Sequence, residues 1–219
     1  MGESASWRPV GTPGGAVELR CGPLCGVLQP TDASVGLTGL SLGGVSLASS
    51  AALFAVTTPA GPLTTANEVY VRGSDHVSTH PPHDGFPFRT QLYWSAKSVA
   101  GGGVAATLAV SLQTDLLDTR PELTLAVSLG VEGSATGNAC RFDLPSSAVI
   151  VLPYPSDWEE CVVTTGTQGC HLQLAPPFLE KGVIRRLRTA AIVLPPDADD
   201  TAASAAIADL ADDPLPLTT

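Results

Sequence analysis

Charge is scarce in this chain. Charged residues make up 15% of its 219 positions, against roughly 25% in an average soluble domain, which argues against long solvated helices. No run of apolar residues approaches the roughly 20 needed to cross a bilayer as a helix. The opening residues, MGESASWRPV, contain neither the basic region nor the apolar stretch of a secretory leader, so a cytoplasmic protein is expected. They do fit the loose myristoylation pattern through Gly2 and Ser6, a short pattern that is often met by chance. The glycine-rich dinucleotide fingerprint, the P-loop and the nucleophile elbow are also missing, so the local signals of those enzyme classes are lacking. Cysteine is sparse and odd in number. Cys21, Cys25, Cys140, Cys161 and Cys170 form no paired C-x2-C knuckles of a zinc ribbon. They read as small buried apolar residues with free thiols, and no cofactor is expected.

Apolar residues and chain-turning residues are plentiful. Hydrophobic residues make up 44%, and there are 22 glycines and 19 prolines, a composition of many short strands joined by tight turns. A chain of this length buries roughly 70% of the surface its unfolded form exposes, enough to fold without a staple. The formal net charge is −10, and much of it sits in Asp197, Asp199, Asp200, Asp209, Asp212 and Asp213, with no Lys or Arg beyond Arg188. An acidic chain repels phosphate backbones and anionic lipid, so neither nucleic acid nor a membrane is an expected partner.

Residues 1–16, rich in Gly, Pro and Ser, read as a flexible lead-in. A β-sandwich domain is expected over 17–196, and an acidic helix and tail over 197–219. In LSLGGVSL (40–47) the Gly43-Gly44 pair can adopt the positive φ angles of a two-residue hairpin turn. TLAVSL occurs twice, at 107–112 and 124–129. In each copy Leu, Val and Leu fall on alternate positions, and the two copies are expected to be neighbouring antiparallel strands. Further strands are predicted at 52–57, 63–72, 89–96, 139–144, 149–152, 161–165, 171–174 and 183–194. Ser156 to Glu159 has capping-box spacing for one helical turn, which accounts for Asp157 and its acidic neighbours. A helix is predicted over 200–211, where Ala203, Ile207, Leu210 and Ala211 recur at helical spacing. Asp199 and Asp200 suit its positive end, and Pro214 and Pro216 prevent it from continuing. The predicted fold is all-β: a two-sheet antiparallel sandwich with a short C-terminal helix.

Three groups of residues have the chemistry for a site. His76, His80 and His83 lie in SDHVSTHPPHDG. If 76–80 is extended, His76 and His80 stand roughly 13 Å apart and cannot share a metal. His80 and His83, folded back by Pro81 and Pro82, are the only credible pair, and a polar loop without metal is expected. Asp115, Asp118 and Glu122 sit between the TLAVSL copies, where turn chemistry explains them. Lys181, Arg185, Arg186 and Arg188 either bind an anion or pair with the acidic tail; in a strand Arg186 and Arg188 face one way and Arg185 the other.

The most suggestive pair is ANEVYVRGSDHV (66–77) and PFRTQLYW (87–94). Glu68, Tyr70 and Arg72 share one strand face, and Arg89, Gln91 and Tyr93 share another. Planar donors beside aromatic rings suit a sugar-like ligand. Arg72, Arg89, Gln91 and Tyr93 are therefore the expected ligand-binding residues, projecting to solvent. VYVRGSDHV and PFRTQLYW, with the later GVIRRLRTAAIVLP, resemble an uncharacterised bacterial β-rich family over about residues 50–195; that family has no assigned activity, so the resemblance implies no catalytic residue. The strand order and size also resemble galactose-mutarotase-like sandwiches. That resemblance implies a supersandwich fold and a sugar ligand, while the catalytic His and Glu of that family align with nothing here. The expected function is non-catalytic binding of a carbohydrate or similar small polar ligand. The alternatives are a sugar-modifying enzyme of the epimerase or lyase class, and a structural or assembly module.

Overall fold

Alternation of apolar and polar side chains runs through most of the chain, and strands form where it does. The computed structural model describes residues 4–11, 15–211 and 213. In chain order its strands are β1 (Ser6–Pro9), β2 (Val17–Cys21), β3 (Leu24–Leu28), β4 (Leu37–Leu42), β5 (Val45–Ser46), β6 (Ala52–Thr58), β7 (Gly61–Pro62), β8 (Glu68–Arg72), β9 (Asp75–His80) and β10 (Arg89–Val99). They continue with β11 (Gly103–Gln113), β12 (Leu123–Ser128), β13 (Ser134–Thr136), β14 (Ala139–Leu144), β15 (Ser147–Pro153), β16 (Cys161–Gly166), β17 (Gly169–Leu174) and β18 (Ile184–Leu194), and the helix α1 (Asp200–Ala211) follows.

These strands build two antiparallel sheets. One runs β1-β2-β3-β4-β6-β12-β17-β16, with β5 on β4 and β7 on β6; the other runs β13-β14-β15-β18-β11-β10-β9-β8. The core lies between them and is filled by alternate residues such as Leu92, Trp94, Leu108 and Val110 from the second sheet, and Leu53, Leu125 and Leu172 from the first. The two-sheet sandwich and its C-terminal helix are as predicted. The Gly43-Gly44 hairpin also forms, with φ of +59° and +83° and Leu42 opposite Val45.

The helix lies on the outer face of the eight-stranded sheet. Ala203, Ala206 and Leu210 pack on Ala105, Ile150, Ala190 and Ile192. Small side chains on both surfaces allow the helix to approach the sheet closely. Asp199 starts it: its Oδ1 accepts the Ala202 N–H at 2.8 Å, satisfying one of the helix's unpaired first-turn donors. The strand β11 is thereby covered on both sides at one end. No helix among the described residues is long and apolar enough to cross a membrane.

Two expectations are corrected here. The TLAVSL copies are not neighbours: β11 pairs with β10 and β18, whereas β12 pairs with β6 and β17 in the other sheet. Alternation told which side of each copy is apolar, and both apolar sides do face the shared core, but it carries no information on the partner strand. The lead-in is not loose throughout. Residues 6–9 form β1 on β2, and Trp7 reaches across to the other sheet, where its indole N–H donates to the Ser74 carbonyl at 2.8 Å and its ring meets His76 at 5.1 Å. Gly2, Pro214 and Pro216 lie outside the described residues.

Two predictions follow from how these side chains are buried. All five cysteines are free thiols, and only Cys25 is more than slightly accessible. Burial pushes the Cys161 thiol up to about 12 and raises Cys140 and Cys170 as well. A thiol reagent should therefore titrate about one group in the native protein and all five after unfolding. His76 is 2% exposed, and burial lowers its pKa to about 4. Between about pH 6.5 and 4 the unfolded chain then binds the proton that the folded chain refuses, so stability is full above pH 6.5 and falls as the pH drops. The His76 contribution is on the order of 3 kcal/mol, and His80, also lowered by burial, acts in the same sense. In melting curves across that range His76→Phe should lose the larger part of the slope; an unchanged slope would assign it to other groups.

Candidate functional site

The half of the outer sheet face that α1 leaves uncovered is where the polar side chains gather. Register fixes them in rows. Glu68, Thr79, Gln91, Ser111 and Arg186 lie side by side across five strands, and the next row holds Tyr70, Val77, Tyr93, Ala109 and Arg188. Gln113 pairs with Arg89 and Ile184 at the outer end. Successive strands stand about 4.8 Å apart, so each row is a nearly continuous strip.

Hydrogen bonds wire part of the first row and tie it to Tyr93 in the second. The Tyr93 hydroxyl donates to Gln91 Oε1 at 2.9 Å. Gln91 Nε2 donates to Thr79 Oγ1 at 3.2 Å, and Thr79 Oγ1 donates to Glu68 Oε2 at 3.4 Å. All donors point one way along the relay, which ends on the exposed Glu68 carboxylate. Burial and the neighbouring Tyr70 raise the Tyr93 phenol, and the charges of Arg186, Arg72 and Arg89 partly oppose them.

The four expected site residues share this face but not one pocket. Arg72 and Tyr93 line a cleft of about 520 Å³ together with Ser95, Lys97, Thr107 and Arg188. Arg89 and Gln91 line a smaller hollow of about 280 Å³ with Glu68, Tyr70 and Gln113. The Tyr93–Gln91 hydrogen bond joins the two. Arg72 and Arg89 are exposed and Gln91 is half-buried. Tyr93 departs from expectation: it is 5% exposed and packs with Val77 and Ala109, because β9 and β11 flank it with apolar side chains.

The other candidates separate. His80 is committed to the protein, with Nδ1 2.7 Å from the Thr64 carbonyl and Nε2 3.1 Å from Ser78 Oγ; the first contact makes Nδ1 the protonated nitrogen. His83 stands in a different hollow, of about 620 Å³, beside Asp84, Arg89 and Asp115. Among the described residues no cluster of three or more His, Cys, Asp or Glu has metal-holding spacing. Glu122 lies by Arg120 in another depression, away from Asp115, and Asp118 adopts φ of +53° in the turn, a conformation Asp tolerates better than most residues.

The basic segment divides as alternation predicts. Arg185 ion-pairs with Glu160, its Nε donating to Oε2 at 3.0 Å. Arg188 reaches the acidic tail, where Nη1 donates to the Asp213 carbonyl at 2.8 Å. The capping box does not form. Residues 155–160 make a 3-10 turn without a side-chain cap, because Asp157 Oδ2 accepts the Arg188 backbone N–H at 2.7 Å and Ser156 Oγ accepts from Arg188 Nη2 at 2.9 Å. Sequence reasoning missed Lys97, Tyr154 and Asp213 as cleft residues. Lys97 was within reach, since it continues the alternation of 89, 91, 93 and 95; Tyr154 and Asp213 lie beyond the ends of β15 and α1, where no periodicity applies.

No protein-family model matches the chain, and no curated protein matches it in sequence. In fold it is similar to heparan sulfate lyase HepC from Pedobacter heparinus. A mutant of that enzyme aligns with a TM-score of 0.53 at 10% identity over 89% of this chain. The enzyme itself aligns at 0.51 with 8% identity over 85%. The chain spans just over a third of the lyases' length, 37% and 36%. At this identity the likeness shows the fold alone.

The packing of Tyr93 sets its mutational behaviour. Tyr93→Ala should destabilise by about 3 kcal/mol, as removal of a buried aromatic ring does. Tyr93→Phe, which loses only the hydrogen bond to Gln91, should cost about 1 kcal/mol. Denaturant unfolding of both variants checks this, and equal costs would contradict the ring's role in packing.

Proposed function

We propose that this chain binds a carbohydrate, of polysaccharide type, along the uncovered outer face of its eight-stranded sheet, without transforming it. The observation that carries the reading is the hydrogen-bonded strip Tyr93–Gln91–Thr79–Glu68, flanked by the exposed guanidinium groups of Arg72 and Arg89. A sugar offers alternating hydroxyl donors and acceptors, and an amide, a carboxylate and two planar cations held on a rigid sheet match them without reorganisation. Tyr93 is kept in its neutral phenol form, which suits hydrogen bonding better than proton abstraction. We further propose that residues 17–196 act as one binding sandwich, with 197–219 as its helix and tail.

The fold likeness to heparan sulfate lyases supports a second reading, a sugar-modifying enzyme of the lyase or epimerase class. One experiment separates the two. An oligosaccharide panel is screened by calorimetry, and any oligosaccharide that binds is then incubated with the protein and analysed by mass spectrometry. Under the first reading it is recovered intact; under the second, cleaved or epimerised sugar accumulates. Arg89→Ala and Gln91→Ala should each weaken binding about tenfold, or ~1.4 kcal/mol. For Arg89, which is exposed, the stability change should stay within about 0.5 kcal/mol. Folded variants with unchanged affinity would place binding elsewhere.

A further inference from the structure

We propose that the nook formed by Arg188, Lys97 and Tyr154 is a binding site for a small hydroxylated carboxylate, and that the chain's own Asp213 carboxylate occupies it as a displaceable internal ligand. Arg188 is 8% exposed, and its guanidinium lies 4.3 Å above the Tyr154 ring. Nη1 donates to the Asp213 carbonyl at 2.8 Å and Nη2 to Ser156 Oγ at 2.9 Å. Nε has no hydrogen-bond acceptor among the described residues, and the Asp157 carboxylate is 3.8 Å away. A guanidinium carries five N–H donors in a fork that fits an oxyanion, and among the described residues this buried one meets no carboxylate at hydrogen-bonding distance. A buried cation held in that way retains capacity for a further acceptor.

Asp213 shows what the nook accepts. Its Oδ2 takes the Tyr154 hydroxyl proton in a 3.0 Å hydrogen bond, and Oδ1 is ion-paired with Lys97. The carboxylate is thus read by a phenol and an ammonium, beside the guanidinium that holds its main chain. Beyond it the cleft of about 520 Å³ continues over Tyr93, Ser95 and Thr107 to Arg72. Hydroxyl groups on its floor and a cation at its far wall suit a ligand that carries several hydroxyls behind its carboxylate.

The helix does not depend on the Asp213 side chain for its seat. Asp209 Oδ2 accepts the Ala100 N–H at 2.8 Å, the Asp209 carbonyl lies 3.3 Å from Lys97 Nζ, and Leu210 is buried on the sheet. Removing the Asp213 carboxylate therefore vacates the nook while leaving α1 docked. An internal ligand competes at the high effective concentration that a short tether supplies, so an external carboxylate binds more tightly once it is gone.

The test uses full-length protein, gluconate as the probe and glucitol, the uncharged polyol of the same length, as control, in calorimetry at pH 7 and low salt. Asp213→Ala should bind gluconate at least tenfold more tightly than the unmodified chain, with no gain for glucitol. Adding Lys97→Met to that variant should abolish the gain. Acetate should compete with gluconate, which locates recognition at the carboxylate. Should Asp213→Ala fail to fold, Asp213→Ser, which also removes the carboxylate and is too short to reach Lys97, carries the same expectation. Equal gluconate affinity in the folded variant and the unmodified chain overturns the proposal, as does an equal gain for glucitol. Lys97 and Asp213 take no part in the strip, so the gain on Asp213→Ala and its loss on adding Lys97→Met read this nook alone, and failure of sugar binding on the strip is a separate result.

Discussion

The long antiparallel ladder through β10, β11 and β18 is the constraint on which the rest depends. It pairs Arg89 to Val99 with Gln113 back to Gly103, and β11 in turn with Ile184 to Val193, without a register shift. With no bulge, the period of two holds over the full length, and one face stays apolar while the other carries its polar residues in straight rows. A single slip would turn Trp94 and Leu108 outward and send Arg89, Gln91 and Arg188 into the core. Apolar packing between the sheets therefore enforces the alignment of the polar strip, although no strip residue contributes to that packing; Tyr93 packs on the outer face with Val77 and Ala109.

The outer face of such a sheet has two fates along its length. At the end bearing Ala105, Ala190 and Ile192 it is covered by α1. At the other end the residues in the same columns are Thr107, Ser111, Arg186 and Arg188. The change occurs within one strand: β18 reads arginine, arginine, alanine, isoleucine on its outer side at 186, 188, 190 and 192. The boundary between cover and open surface is where Lys97, Tyr154 and Arg188 meet Asp213, so the first cleft exists because the helix ends there.

How much was legible follows from which physical signal each feature uses. The sandwich, the Gly43-Gly44 hairpin and α1 are local: a period of two, a pair of residues tolerant of positive φ, and Asp199 ahead of Ala203 and Leu210. The shared face of Arg89, Gln91 and Tyr93 is also local, since alternation alone places them together. The burial of Tyr93 is not, because it depends on Val77 and Ala109 from two other strands. The same holds for Trp7 against His76 and for the seizure of Asp157 by Arg188, each of which joins segments far apart in the chain. Ser156 shows the limit well: its capping-box spacing with Glu159 was real, but its hydroxyl oxygen accepts from the buried Arg188 guanidinium instead of capping a helix.

The two TLAVSL copies, placed in opposite sheets, bear on how the chain reaches this structure. Identical hexapeptides have identical local preferences, so during folding either could dock beside β10 or beside β6, and a swapped arrangement would bury much the same Leu and Val side chains. What separates them is their flanks. The first copy extends into an eleven-residue strand, so its correct ladder gains pairs at Val104 to Ala106 that the second copy, preceded by Pro121 and Glu122, cannot supply. Discrimination therefore arrives only as the ladder lengthens, after sequence-distant strands have met. This is an arrangement of high contact order, which folds slowly, with a near-degenerate competitor that adds local frustration to the landscape.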